Sequence, residues 1–211
     1  MEHGKDKIAA VTVPFCDAAA WVLARVATLR RERPVVVVGV TGPVGSGKTT
    51  LAHAIVSQSA EPGLVLSTDH YLPDYERVEY VERDEPKHSD LPLLSSHLQD
   101  LRDGRDVQVP IWSFQSHSRE GTSRVSPAPL IICEGIHALH AHVRPALDVA
   151  LFVHAAAATR WQRWKAIEER GERGWGVDVA QAFFDDVAEP TYTRHAHDYL
   201  RHADVIVEND G

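Results

Sequence analysis

The chain reads as an α/β domain built on a doubly wound, mostly parallel five-stranded sheet flanked by helices. Two observations predict this. Short apolar runs alternate with segments of helical spacing, the pattern of a parallel sheet with crossover helices. The runs are also close to continuously apolar, as in strands buried on both faces.

In order along the chain, Asp17 to Arg33 sets Trp21, Leu23, Ala24, Ala27 and Leu29 among charged residues. This predicts a helix that starts at Asp17 as N-cap and stops before Pro34. Val35 to Val40 is the first strand, followed by a glycine-rich loop and a helix from Lys48 to Ser59. Leu64 to Ser67 is the next strand. Leu72 to Ser89 is highly charged, contains Pro73 and Pro86, and reads as a loop. Asp90 to Asp103 carries leucines at 91, 93, 94, 98 and 101 and ends at Gly104, a helix with a glycine stop. Gln115 to Pro129 is rich in Ser, Thr and Gly and reads as a second loop. Strands follow at Leu130 to Cys133, Val149 to Val153 and Asp204 to Val207, with helices at Ala156 to Arg170 and Val177 to His202. Loops over the strand ends of such a sheet are where ligands bind.

The 211 residues fit one domain. A hydrophobic content of 44% supports an ordinary core. The net charge of -8 argues against nucleic acid or an anionic membrane as partner. The two cysteines, Cys16 and Cys133, lie far apart; with Cys133 in an apolar run, a disulfide framework is not expected. The charged N-terminus lacks the apolar core of a secretion signal, and no apolar stretch is long enough to span a bilayer. The expectation is a cytoplasmic protein with a small-molecule substrate.

The loop Gly42-Pro-Val-Gly-Ser-Gly-Lys48-Thr49 fits G-x-x-x-x-G-K-[ST] between a strand and a helix, which defines a P-loop. Phosphate oxygens must approach several backbone N–H groups, and bulky side chains would obstruct them. The helix behind adds free N–H groups and the positive end of its dipole. Gly42, Val44, Gly45, Ser46, Gly47, Lys48, Thr49 and Thr50 are therefore expected to hold a nucleoside triphosphate, ATP or GTP. Lys48 reaches the outer phosphates, and the Thr49 hydroxyl offers a ligand to Mg²⁺.

Asp69 falls just past a strand end, facing the γ-phosphate in this architecture. It is either a base that accepts the proton of an attacking hydroxyl or an aspartate capping a turn. Glu134 ends another strand and is either a metal ligand or a solvated strand-end charge.

Four stretches together resemble the uridine kinase family, within the group that also holds phosphoribulokinase and related pantothenate kinases. They are GVTGPVGSGKTT, LSTDHYLPD, the stretch from Asp84-Glu-Pro86 through Leu101-Arg-Asp-Gly-Arg-Asp-Val-Gln-Val-Pro110-Ile-Trp-Ser-Phe-Gln-Ser-His117-Ser-Arg119, and Glu134-Gly-Ile with His202-Ala-Asp-Val-Ile-Val far downstream. The resemblance implies a single P-loop kinase domain over 1–211, with an N-terminal helix in 1–33, a substrate-side hairpin or loop at 105–129 and a basic lid at 159–176. It implies ATP- or GTP-dependent phosphorylation of the 5′-hydroxyl of a pyrimidine nucleoside. Asp69 and Lys48 would be catalytic, with Thr49, Asp69 and Glu134 at the magnesium. Asp84 would hold ribose hydroxyls, and Tyr71, Trp112, Phe114 and His117 would complete the substrate site. Arg163, Arg170 and Arg173 would close on phosphate. Members often form tetramers, which implies a homo-oligomer.

Each role has a plainer reading. Trp112 and Phe114 also suit core packing on a hairpin, His117 a surface loop, and the lid arginines the solvated face of an amphipathic helix. The chain also departs from the family pattern. Trp112 stands where tyrosine is usual; an indole N–H only donates, so at the base 4-position it would favour the uracil carbonyl. Ser113 replaces an aspartate, Arg83 an aromatic residue, and Ala155 to Ala158 an acidic turn. Trp164, Trp175 and Phe183 lie where basic or polar side chains are expected. These departures leave open another alcohol, such as pantothenate, a sugar or a sugar phosphate, for which Arg77 and Arg83 offer charge. A nucleotide-binding regulator without transfer activity is the other alternative.

Overall fold

The computed structural model describes residues 10–210; the expectations that concern residues 1–9 lie outside them. The main sheet has six strands in the order β1-β8-β7-β2-β6-β3. They are β1 (Val11–Pro14), β2 (Val36–Thr41), β3 (Gly63–Ser67), β6 (Leu130–Glu134), β7 (Val149–His154) and β8 (Val205–Glu208). Every neighbouring pair is parallel. A separate antiparallel hairpin joins β4 (Val107–Ser113) to β5 (Ser118–Val125). The helices are α1 (Phe15–Leu29), α2 (Lys48–Gln58), α3 (Leu91–Arg102), α4 (Ala157–Glu169), α5 (Val177–Phe183) and α6 (Glu189–His202).

The alternation of side chains along β2 builds both layers. Val36, Val38 and Val40 pack with Leu51, Ile55, Val22 and Val26 under α1 and α2. Val37 points the other way, into a core with Leu94, Leu98, Leu101, Ile131 and Phe152. Each such side chain, fully buried, is worth about 1.5–3 kcal/mol. Cys133 is buried in the second of these cores.

The structure corrects the expected elements in four places. The sheet gains a sixth strand, β1, paired with β8 at one edge. Only one of its four residues is buried, so it lacks the apolar run of the inner strands, and Pro14 suits an edge. α1 starts at Phe15, two residues before Asp17, and fully buries Ala18, Ala19, Val22 and Val26; of the expected set, Trp21, Leu23 and Leu29 pack partly buried against them, and Ala24 and Ala27 are exposed. The polar segment expected as a loop contains β5, which is exposed along most of its length; its backbone pairs with β4 without any apolar pattern. Finally, Val177 to His202 is not one uniform helix. A π-helical turn at Phe184–Ala188 separates α5 from α6, directly before Pro190, which has no N–H to continue the ladder.

The helix expected from Asp90 to Asp103 is α3, and Asp90 caps it, its carboxylate accepting from the Leu93 amide at 3.2 Å. Among the described residues no helix is long and apolar enough to cross a membrane.

Candidate active site

The chain leaves β2, runs through α2 to β3, and returns to place β6 between β2 and β3. That order creates a topological switch point at the carboxyl ends of the strands, where ligands bind in open α/β sheets. Register makes the site specific: Glu134 at the end of β6 is the Cα partner of Val40 on one side and Ser67 on the other. The loop after β2, the Asp69 turn after β3 and the Glu134 carboxylate therefore converge. A cavity of about 460 Å³ contains Lys48, Thr49, Asp69, Asp84 and Glu134 along its wall.

The P-loop glycines are explained partly by the protein behind them. A Cβ at Gly42 would lie 2.2 Å from the Val153 carbonyl oxygen, one at Gly45 2.5 Å from that of Arg160, and one at Gly47 2.4 Å from the Asn209 amide. All three also have positive φ, at 150°, 75° and 98°. Asn209 donates to the Ser46 carbonyl at 2.7 Å and anchors the loop to β8. Gly42 and Ser46 shape the loop from inside, whereas Val44, Gly45, Gly47, Lys48, Thr49 and Thr50 face the cavity. The buried Ser46 hydroxyl has no partner among the described residues.

Lys48 is buried and donates to the Pro43 carbonyl at 2.8 Å. Burial pushes its ammonium down to about 8, while Glu134 and Asp69 favour the charged form. A buried ammonium beside a ring of loop amides is matched by an anion. Thr49 donates to Glu134 Oε2 at 3.1 Å. Burial first, then the neighbouring Asp69, raises the pKa of Glu134. Two carboxylates and a hydroxyl, gathered so that Asp69 disfavours the charge on Glu134, form a donor set that fits a hard divalent cation.

The far wall is aromatic. Tyr75, Trp112, Phe114, His117, Trp164, Trp175 and Phe183 all face the cavity. His117 stacks on Trp175 with centroids 4.5 Å apart and planes 13° apart, and Tyr75 stacks on Phe183 at 6.0 Å. Against this wall Asp84 is buried and accepts from the Tyr75 hydroxyl at 3.1 Å. Burial drives its carboxyl up to about 6; the Tyr75 hydrogen bond works against that, and Asp69 adds to it.

One expected substrate contact is corrected, and a second keeps its place but loses the base preference assigned to it. Tyr71 is fully buried; its hydroxyl lies 2.8 Å from His97 Nδ1, so its side chain joins the core instead of the cavity. Trp112 lines the cavity, but its N–H donates to the Pro73 carbonyl at 3.0 Å. That donor is occupied, which removes the expected preference for a uracil carbonyl. Phe114 and His117 are placed with Asp84 as expected.

The lid arginines behave differently from one another. Arg163 donates to the Asn209 carbonyl at 3.0 Å and toward that of Gly45 at 3.4 Å, bracing the P-loop while lining the cavity. Arg173 lies over the Phe114 ring, 4.6 Å from its centroid. Arg170 lines the cavity but pairs with Glu172 at 2.5 Å on the surface. Arg77 is exposed beside Asp74, and Arg83 rests on the Tyr75 and Tyr80 rings; neither lines the cavity, although the Arg83 charge is felt at His117.

Sequence reasoning missed Tyr75, which sits in a charged stretch without periodicity. It also missed Arg160, buried beneath the loop, bonded to Glu189 and donating to the Ala155 carbonyl at 2.9 Å. The available signal for Trp164, Trp175 and Phe183 was their departure from the expected polarity of the lid.

A P-loop and strand-end carboxylates around one cavity define the class as a P-loop kinase. Residues 37–210 match the Phosphoribulokinase / Uridine kinase family, and the chain belongs to it. It is 34% identical over 188 residues to a uridine kinase of Clostridium botulinum, covering 85% of this chain and 90% of that protein. It is 31% identical over 192 residues to a uridine kinase of Lactobacillus johnsonii, covering 87% and 90%. Among solved structures, one described as a possible uridine kinase from Bacillus stearothermophilus superposes with a TM-score of 0.69 at 14% identity, covering 91% of this chain and 98% of that one. The protein is a phosphotransferase with an alcohol group as acceptor.

Proposed function

We propose that the protein transfers the γ-phosphoryl group of ATP or GTP to the 5′-hydroxyl of a pyrimidine nucleoside. One observation carries this reading: a buried carboxylate, Asp84, and a wall of stacked aromatic rings share a single cavity with the P-loop and Asp69. A carboxylate accepts from a pair of vicinal hydroxyls, and aromatic faces accept a flat base.

The reaction is assigned as follows. The P-loop amides and Lys48 hold the phosphates and meet the negative charge as it develops. Asp69 orients the acceptor hydroxyl and takes its proton. The hydroxyl oxygen bonds to the γ-phosphorus as the bond to the β–γ bridging oxygen breaks, and the nucleoside diphosphate leaves. Thr49, Asp69 and Glu134 would hold Mg²⁺, which supplies charge neutralisation at the β- and γ-phosphates. Arg163 and Arg173, within the 159–176 lid, close the phosphate side, and the hairpin carrying Trp112 and Phe114 closes the acceptor side.

A panel of alcohols tests the reading. With γ-labelled ATP, uridine and cytidine are expected to accept label at comparable kcat/KM, because the Trp112 N–H is occupied by Pro73. The aromatic Trp164, Trp175 and Phe183, where basic or polar side chains are expected, favour the second reading, a non-pyrimidine alcohol. Label on pantothenate, a sugar or a sugar phosphate, with none on either nucleoside, would establish it instead.

A further inference from the structure

His137 lies three residues beyond Glu134 and is 2% exposed. Its Nε2 is 2.6 Å from the Asp84 carbonyl oxygen, and its Nδ1 is 2.9 Å from the Tyr199 hydroxyl. A carbonyl can only accept, so Nε2 carries a proton. Burial pushes the imidazole down to about 3, with His195 and His140 acting in the same sense against the Asp84 carbonyl and Glu85, so the ring is neutral. Nδ1 is then an acceptor, and Tyr199 donates to it. The result is a directed chain from the α6 hydroxyl, through the imidazole, to the backbone of Asp84.

The next residue is held from the same helix. The Glu85 carboxylate accepts from Arg194 at 2.7 Å and lies 3.0 Å from His195 Nε2. Apart from these grips, the segment around Asp84 is a series of short 3₁₀ turns, Tyr75–Arg77, Tyr80–Glu82 and Pro86–His88, with no sheet ladder to fix it. A carboxylate that must meet hydroxyls in one geometry needs its backbone held by such supports.

We propose that His137, oriented by Tyr199, is a positioning residue that fixes Asp84 against the acceptor and ties the acceptor loop to the strand carrying Glu134.

The kinetic test rests on the nucleoside reading. His137→Leu is expected to raise the KM for uridine about 10-fold, with kcat changed less than about 3-fold and the KM for ATP unchanged. His137→Gln keeps an N–H donor and should recover most of that loss. Tyr199→Phe, a milder change that preserves packing, should raise the uridine KM about 3-fold. Equal losses in kcat and in both KM values, with no rescue by glutamine, would reduce His137 to a structural residue and overturn the proposal.

A second measurement needs no acceptor. Imidazole ¹⁵N NMR of the full chain should show a neutral Nε2–H tautomer from about pH 5 to about pH 8, with an Nδ1 signal that moves in Tyr199→Phe. A titrating ring, or a proton on Nδ1, would overturn it. Wild-type enzyme that leaves uridine unphosphorylated would count against the nucleoside reading, and the NMR result would still decide whether His137 holds the Asp84 backbone through the Tyr199-oriented tautomer; the KM split is then read on the alcohol that accepts label.

Discussion

Asp84 pairs a cost in stability with its proposed role in holding the acceptor. Its carboxyl is raised from the ordinary 3.8 to about 6, chiefly by burial. Between those two values the folded state binds the proton more tightly than the unfolded state. Stability therefore falls as pH rises through that window and is level above it. Asp84→Asn should remove the slope and raise unfolding free energy at neutral pH by on the order of 2–3 kcal/mol, while the acceptor KM rises. Denaturant melts of both proteins at about pH 4 and about pH 7.5 check this; parallel curves would show that Asp84 is not held in a desolvated site. At Asp69 the expectation is chemical: Asp69→Asn should lower kcat by roughly 10² to 10⁴ and leave nucleotide affinity intact. An unchanged turnover number in steady-state kinetics would remove it from the mechanism.

The polar residues at the P-loop end of the cavity were legible in the sequence because backbone pattern dictates where they fall. Lys48 and Thr49 follow a glycine loop, and Asp69 and Glu134 end strands that apolar runs mark out. Trp112 and Tyr71 were misjudged for the opposite reason. Their partners, the Pro73 carbonyl and the His97 ring, lie 39 and 26 residues away in sequence, and no local pattern connects them.

At the scale of elements, the lid departs furthest from expectation. α4 and α5, with the Trp175 connection between them, supply an aromatic wall in place of a row of polar contacts. Stacking of a base on such a face is worth about 1–3 kcal/mol. Trp175→Ala or Phe183→Ala should therefore raise the nucleoside KM by about 10-fold or more while sparing the KM for ATP. If both variants bind uridine normally, the rings serve only as core.

Beneath the loop, buried Arg160 joins α4 to Glu189 at the start of α6. Glu189→Leu alone leaves a buried guanidinium unpaired and should cost about 3–5 kcal/mol, whereas Arg160→Met with Glu189→Leu should come close to wild type. Thermal melts of the single and double variants distinguish these outcomes. β1 was not foreseen, and β5 followed from the family resemblance and not from its own residue pattern, because each is held mainly through its backbone at an exposed position. Hydrophobic patterning records burial, and an exposed ladder leaves little trace of itself in composition.

Across the whole molecule, the strand order β1-β8-β7-β2-β6-β3 brings phosphate loop, acids and acceptor wall to one end of one sheet. The general class of this arrangement was readable from spacing, since alternating strands and helices permit few topologies. The shape of the acceptor wall was not, because it depends on side chains from the hairpin, the 3₁₀ turns and the lid meeting in space. The central claim is that nucleotide and nucleoside occupy one continuous cavity on either side of Asp69. A bisubstrate ligand, adenosine joined to uridine through a tetraphosphate, tests it most directly by calorimetry. The account predicts binding at least about 100-fold tighter than ATP alone, because joining the two makes the second contact intramolecular. Binding no tighter than that of ATP would contradict a shared cavity.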